Sequence, residues 1–188
     1  MKMKVFIIAT IAIFVSLASS KAQTTQSGKK VLIAYYSLRN GNTRAIAEEI
    51  QKNVGGKMFR IETVQNYPAQ YRAVTEQAKK ELESGYRPKL KNTVPDFEQY
   101  DVIYLGSPNW WGTIAPAVFT FLESYNFSGK KIIPFITHEG SRMGKSSTDI
   151  KKLVPKATVL EGLPVRGGDV KNAGVDVKTW LKKVGQLK

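Results

Sequence analysis

Long apolar runs alternate with stretches of helical period along most of this chain. KVLIAYY (30–36), DVIYLG (101–106) and KIIPFITH (131–138) are near-continuous apolar segments, the pattern of strands buried on both faces. KMFRIET (57–63) alternates, which suits a strand nearer a sheet edge, and ATVLEGLPV (157–165) holds a fifth strand. Between them, Ile46, Ile50 and Val54 recur at spacing four and predict a helix over 43–54, ended by Gly55-Gly56. Tyr71, Val74, Ala78 and Leu82 mark one inward face of a second helix, broken by Gly85 and Pro88. A third helix has Pro116 in its first turn and Thr113 as its expected cap. A fourth runs from Ser147 to Val154, and Val177, Trp180, Leu181 and Val184 give a fifth.

Five strands alternating with five helices predict an α/β fold, a parallel sheet covered on both faces and joined by right-handed crossovers. Pattern alone does not set the strand order.

The first 22 residues stand apart from that pattern. MKMK is a basic start, VFIIATIAIFVSL an apolar run of 13 residues, and ASSKA offers small residues for cleavage after Ser20 or Ala22. This is the layout of a secretory signal peptide, too short for a comfortable membrane span. The expected domain plan is signal peptide 1–22, flexible leader 23–29 and one folded domain 30–188. Export leads to the periplasm, or beyond the cell, with no stable membrane insertion once the signal is removed.

Composition narrows the chemistry. At 42% hydrophobic and 23% charged residues the chain is globular rather than disordered. There is no cysteine, so disulfides, thiolate metal sites, CxxC redox pairs and lipid attachment through an N-terminal Cys are all excluded. Redox chemistry would need a bound cofactor. Net charge is +14, of which residues 1–22 carry three lysines and no acid. The lysines are scattered in runs no longer than two, and no nucleic-acid motif accompanies them, so nucleic acid is not an expected partner.

In open α/β sheets ligands sit beyond the carboxyl ends of strands. Three such segments are unusual here. The first is Ser37-Leu38-Arg39-Asn40-Gly41-Asn42-Thr43. Gly41 frees the turn, Asn42 or Thr43 is placed to cap the helix, and Ser37 and Asn40 add polar groups. It fits neither GxxxxGK[ST] nor GxGxxG, which leaves a phosphate monoester or a plain capped helix.

The second is GSPNWWGT (106–113), where Pro108 stiffens the turn, Gly112 allows close approach, and Asn109, Trp110 and Trp111 lie between. One of the two Trp is expected in the core; a flat ring could press against the other. The third is THEGSRMGKS (137–146), whose Thr137, His138, Glu139, Gly140 and Ser141 follow a strand directly. His138 is the only histidine, more often structural than catalytic, and no carboxylate cluster points to a metal.

Together the three segments resemble the flavodoxin family over residues 30–188. They are similar to the short-chain bacterial flavodoxin-like proteins whose loops read S-x-T-G-N-T, G-x-P-x-W-W-G and P-F-x-T-H-x-G-S, with Arg87-Pro88 before the third strand. The resemblance implies a doubly wound five-stranded sheet of order 2-1-3-4-5 with FMN at the switch between strands 1 and 3; flavodoxin is the standing example of that rule. Carried over by position, Ser37, Asn40, Gly41, Asn42 and Thr43 would hold the phosphate. Arg39, added in a loop one residue longer than the family pattern, could assist them. Pro108, Asn109, Trp110, Trp111 and Gly112 would line the isoalloxazine, with Thr137 to Ser141 at its other edge. Glu139 stands where that group often has Gly.

Three functions follow as alternatives. One is an FMN electron carrier serving a redox partner protein. Another is an NAD(P)H-dependent FMN oxidoreductase passing electrons to a quinone or similar small acceptor. The last is a binding module of this fold that has lost FMN.

Overall fold

The computed structural model describes residues 29–38, 41–68 and 70–187. The expected signal peptide, residues 23–28 of the leader, and Arg39 and Asn40 of the first loop lie outside the described residues.

Among the described residues, seven strands and five helices follow one another. They are β1 (Val31–Tyr35), α1 (Asn42–Val54), β2 (Lys57–Arg60), α2 (Tyr71–Ser84), β3 (Val102–Trp110), β4 (Thr113–Ile114), α3 (Pro116–Glu123), β5 (Lys131–His138), α4 (Ser146–Leu153), β6 (Thr158–Val159), β7 (Leu163–Arg166) and α5 (Gly174–Lys183). The sheet path is β2-β1-β3-β5-β6, with β7 also on β5 and every one of these pairings parallel. Counting β6 and β7 as one interrupted strand, this is the order 2-1-3-4-5. The register places Ile33 beside both Met58 and Tyr104, and Leu105 beside both Ala34 and Pro134.

Side-chain alternation sorts the helices onto two faces. Leu32, Ala34, Ile103, Leu105, Ile132 and Ile136 point to one side and pack with Val74 and Ala78 of α2, Val118 and Phe121 of α3, and Ile150 of α4. Ile33, Tyr35, Val102, Tyr104, Ile133 and Phe135 point to the other, against Ile46, Ala47 and Ile50 of α1 and Val177, Trp180 and Leu181 of α5. Strands covered on both sides carry apolar residues at every position, which is why their sequences run unbroken. β2 is the exception, buried only at Phe59, as an edge strand allows.

The fifth strand is split because of a proline in its neighbour. The Leu160 N–H donates to Ile132 O at 2.9 Å, so the polar groups of Ile132 face this strand, and those of residue 134 face it too. Residue 134 is Pro, with no N–H to give. Opposite it the ladder lapses: pairing resumes at Phe135 with Leu163, one residue longer on the outer strand, as in a bulge.

Three local expectations are corrected. Thr113 does not cap α3; it lies in β4, and its hydroxyl donates to Asp149 Oδ2 at 2.6 Å. Ala115 stands before α3 instead, its N–H donating to the buried Ser107 Oγ at 2.8 Å. Neither Asn42 nor Thr43 caps α1, because Gly41 occupies that position with φ 71°. Tyr71 does not point inward with Val74 and Ala78 but is 63% exposed.

Candidate functional site

The carboxyl ends of β1, β3 and β5 meet in one cavity of about 360 Å³, within the ~300–1,000 Å³ common for small-molecule sites. Its polar wall is Ser37, Asn42, Thr43, Thr137, His138 and Glu139; its apolar wall is Leu38, Tyr71, Val74, Pro108 and Trp110, with Asn109 between.

The first loop turns at Gly41, whose N–H donates to Leu38 O at 3.1 Å. The Arg44 N–H donates to Ser37 Oγ at 3.3 Å, so Ser37 provides the cap that Asn42 and Thr43 do not. Freed from capping, the Thr43 hydroxyl pairs with that of Thr137 at 2.8 Å, both residues being buried, and joins the first loop to the end of β5. The Asn42 and Thr43 N–H groups find no acceptor among the described residues. Unpaired donors at a helix start attract an anion.

The second segment is a hairpin rather than an open loop. β3 runs on to Trp110, pairs Trp110 with Thr113, and turns through Trp111 and Gly112 at φ 54° and 85°. Positive φ at both central residues is a type I′ turn, which Gly112 tolerates and Trp111 adopts against its preference. The turn sends adjacent tryptophans in opposite directions. Trp110 is 5% exposed and faces the cavity, while Trp111 is 54% exposed. Trp111 is held outside by its Nε1–H, which donates to Thr75 O at 2.6 Å, and by the Lys79 ammonium 5.0 Å from its ring centroid.

Asn109 is the clamp between the second and third loops. Its Oδ1 accepts from the Gly112 N–H at 3.0 Å and its Nδ2 donates to Arg142 O at 2.8 Å. Lys145 N–H donates to Gly112 O at 2.6 Å beside them. Gly144 makes that approach feasible: a Cβ there would lie 2.3 Å from Gly112 O.

In the third segment β5 carries Thr137 and His138 to the rim. The Gly140 N–H donates to His138 Nδ1 at 3.0 Å, so the neutral ring bears its proton on Nε2. Burial, and after it the Arg142 guanidinium, pushes the His138 pKa below its ordinary value, which keeps the ring neutral at pH 7. The Glu139 and Asn42 side chains converge over Gly167, where a Cβ would meet Glu139 Oε1 at 2.2 Å and Asn42 Nδ2 at 2.8 Å.

Of the residues singled out from sequence, Ser37, Asn42, Thr43, Pro108, Asn109, Trp110, Thr137, His138 and Glu139 line this cavity. Gly41 shapes its loop; Trp111, Gly112, Gly140 and Ser141 do not line it. Leu38, Tyr71 and Val74 do, and were not singled out. Helical period did mark Tyr71 and Val74 as one face of α2, without showing that this face closes a site.

The flavodoxin family model matches residues 30–184. The chain belongs to the flavodoxin family. No protein of curated function matches it. Among solved structures it is similar to a candidate flavoprotein from Bacteroides eggerthii, at 29% identity and TM-score 0.73 over 83% of this chain and 98% of that one. A second candidate flavoprotein, from Bacteroides uniformis, matches at 29% and 0.71 over 82% and 99%. A flavoprotein from Lactobacillus acidophilus in complex with FMN shares the fold at 24% and 0.64, over 77% and 97%. Within a flavodoxin the cavity lies at the switch point, between the ends of β1 and β3, where strand order reverses.

Proposed function

We propose that this flavodoxin binds FMN in the β1/β3/β5 cavity and carries electrons in an exported compartment, the periplasm first of all. The donor set supports the reading. A helix start whose Asn42 and Thr43 N–H groups have no acceptor among the described residues, with the Ser37 and Thr43 hydroxyls beside it, suits a phosphate dianion. Leu38, Tyr71, Pro108 and Trp110 suit a flat heterocycle, and a neutral His138 offers Nε2–H as one more donor. The single observation that carries it is the meeting of these two walls in one cavity of adequate size. A solved relative of the same fold is a complex with FMN.

Bound FMN would supply reversible one- and two-electron chemistry. The chain's own part is to orient the ring against Trp110, keep water from the buried wall, and fix the rim through the Asn109 clamp. Export rests on the basic start and apolar run of residues 1–22. Its partner is a redox protein or small acceptor met at the rim.

Titration of FMN into pure protein tests cofactor binding; a colourless chain with no flavin uptake sinks it in favour of a binding module. Mixing loaded protein with NADPH and a quinone tests the carrier role. Turnover without a separate reductase would make it an enzyme instead.

A further inference from the structure

Behind the cavity wall lies a buried acid that the function above does not use. Glu81 on α2 is 8% exposed. Acids are almost never buried without partners, and here both oxygens are engaged: Gln77 Nε2 donates to Oε1 at 2.7 Å and the Tyr67 hydroxyl donates to Oε2. Tyr67 is itself buried, with its ring centroid 5.5 Å from that of the cavity-facing Trp110. Tyr36 completes an aromatic triad at 5.8 Å from Trp110 and 6.1 Å from Tyr67.

The two tyrosines differ in one respect. Tyr36 has a buried hydroxyl with no partner at hydrogen-bond distance among the described residues; its polar neighbour is the neutral Thr63 hydroxyl, a far weaker base than a carboxylate. Tyr67 has a carboxylate waiting on its hydroxyl. An oxidised phenol is a strong acid, and a buried radical cation is an uncompensated charge. Such a hole settles only where its proton can leave, and of the two rings that is Tyr67.

We propose that Trp110, Tyr67 and Glu81 form a proton-coupled relay that discharges a light-excited flavin into the protein core. The proposal rests on FMN occupying the cavity. One electron passes from Trp110 to the photo-excited oxidised flavin. An electron from Tyr67 refills Trp110, and the Tyr67 O–H bond breaks as its proton moves to Glu81 Oε2. The sum is one electron gained by the flavin, one electron and one proton lost by Tyr67, and one proton gained by Glu81. Return of the electron and proton restores every group, so absorbed light is dissipated without loss of a side chain.

Flash photolysis of the FMN-loaded full chain, read by transient absorption in H₂O and D₂O, tests it. A neutral tyrosyl radical is expected, forming more slowly in D₂O. Tyr67→Phe should abolish it and leave the tryptophan radical. Glu81→Gln keeps a hydrogen-bond acceptor but is a far weaker base, so tyrosyl yield should fall about tenfold or more. Tyr36→Phe should leave the yield intact. Because Tyr67→Phe leaves Glu81 Oε2 without its donor, Tyr67→Phe/Glu81→Leu, which removes both members of that buried pair and releases only the amide of the partly exposed Gln77, repeats the measurement. Full tyrosyl yield in Glu81→Gln, or loss in Tyr36→Phe but not Tyr67→Phe, overturns the relay. Bound FMN with no tyrosyl signal in the wild type overturns the relay alone, whereas a chain that takes up no FMN overturns the cofactor reading with it.

Discussion

Replacing Gly144 by Ala would separate the two loops that close the rim. Gly144 has φ 51°, and its new Cβ would lie 2.3 Å from Gly112 O and 3.1 Å from Asn109 Nδ2. The left-handed backbone by itself costs an alanine about 1–2 kcal/mol. The nearest atom is backbone in a tight turn, so relief requires the loops to part by about 1 Å. That strains the Lys145-to-Gly112 bond and the Asn109-to-Arg142 bond, each worth about 0.5–1.5 kcal/mol. The expected loss of stability is about 2–4 kcal/mol. Gly129→Ala is the matched control: it has φ 75° with nothing within 4 Å, so it shows the backbone cost alone. Urea unfolding gives the two stabilities, and FMN titration gives the affinities, where displaced rim groups should cost Gly144→Ala about tenfold. Equal stability and equal FMN affinity in the two variants would refute the interlocked rim.

Other substitutions probe the core, the rim and the pH response. Gly106→Ala should destabilise by about 3 kcal/mol or more, since its Cβ would lie 2.3 Å from the fully buried Phe135 ring and 2.9 Å from Tyr35 Cβ; a thermal midpoint near wild type contradicts this. Tyr36→Phe removes a buried hydroxyl with no partner at hydrogen-bond distance among the described residues and should leave stability unchanged or raise it by about 1 kcal/mol, as urea unfolding would read. Glu139→Gln removes a negative charge from the cavity wall and should raise the FMN reduction midpoint, because the reduced ring is the electron-rich form; a potentiometric titration showing a lower midpoint excludes that role. His138 has its pKa below the ordinary 6.5, so the unfolded chain takes up its proton at higher pH than the folded chain does. Stability should therefore fall as pH drops through 6.5, with no contribution from this residue above that value. His138→Asn should show a smaller loss between about pH 7.5 and about pH 5.5 in urea unfolding; an equal or larger loss removes His138 as the cause.

Much of the fold was legible because it follows from local period. A strand covered on both faces must be apolar throughout, so VLIAY and KIIPFITH announced themselves. The helix stripes at Ile46, Ile50 and at Val74, Ala78 followed from one buried face. The Gly55-Gly56 stop of α1 was equally local, with Gly55 at φ 70° donating its N–H to Gln51 O. The three segments at the strand ends stood out by composition, and ten of their residues line one cavity.

What sequence could not supply was contact between distant segments. Trp110 and Trp111 are neighbours with identical side chains, and only the two-residue turn, paired to β4, sends one inward and one out. Asn109 reads as a pocket residue, yet its amide is committed to Gly112 and to Arg142 in another loop. Thr113 looks like a cap because its alternative partner, Asp149, lies 36 positions away. Glu81 looks like a solvated helix position until Tyr67 folds over it. By itself the sequence determined which segments are strands and helices, where they stop, and which strand ends carry the chemistry, since these depend on periodicity and backbone preference within a few residues. The tertiary structure decided which polar groups are spent on holding loops together and which face the cavity, because a hydrogen bond goes to whichever partner the fold brings within about 3 Å.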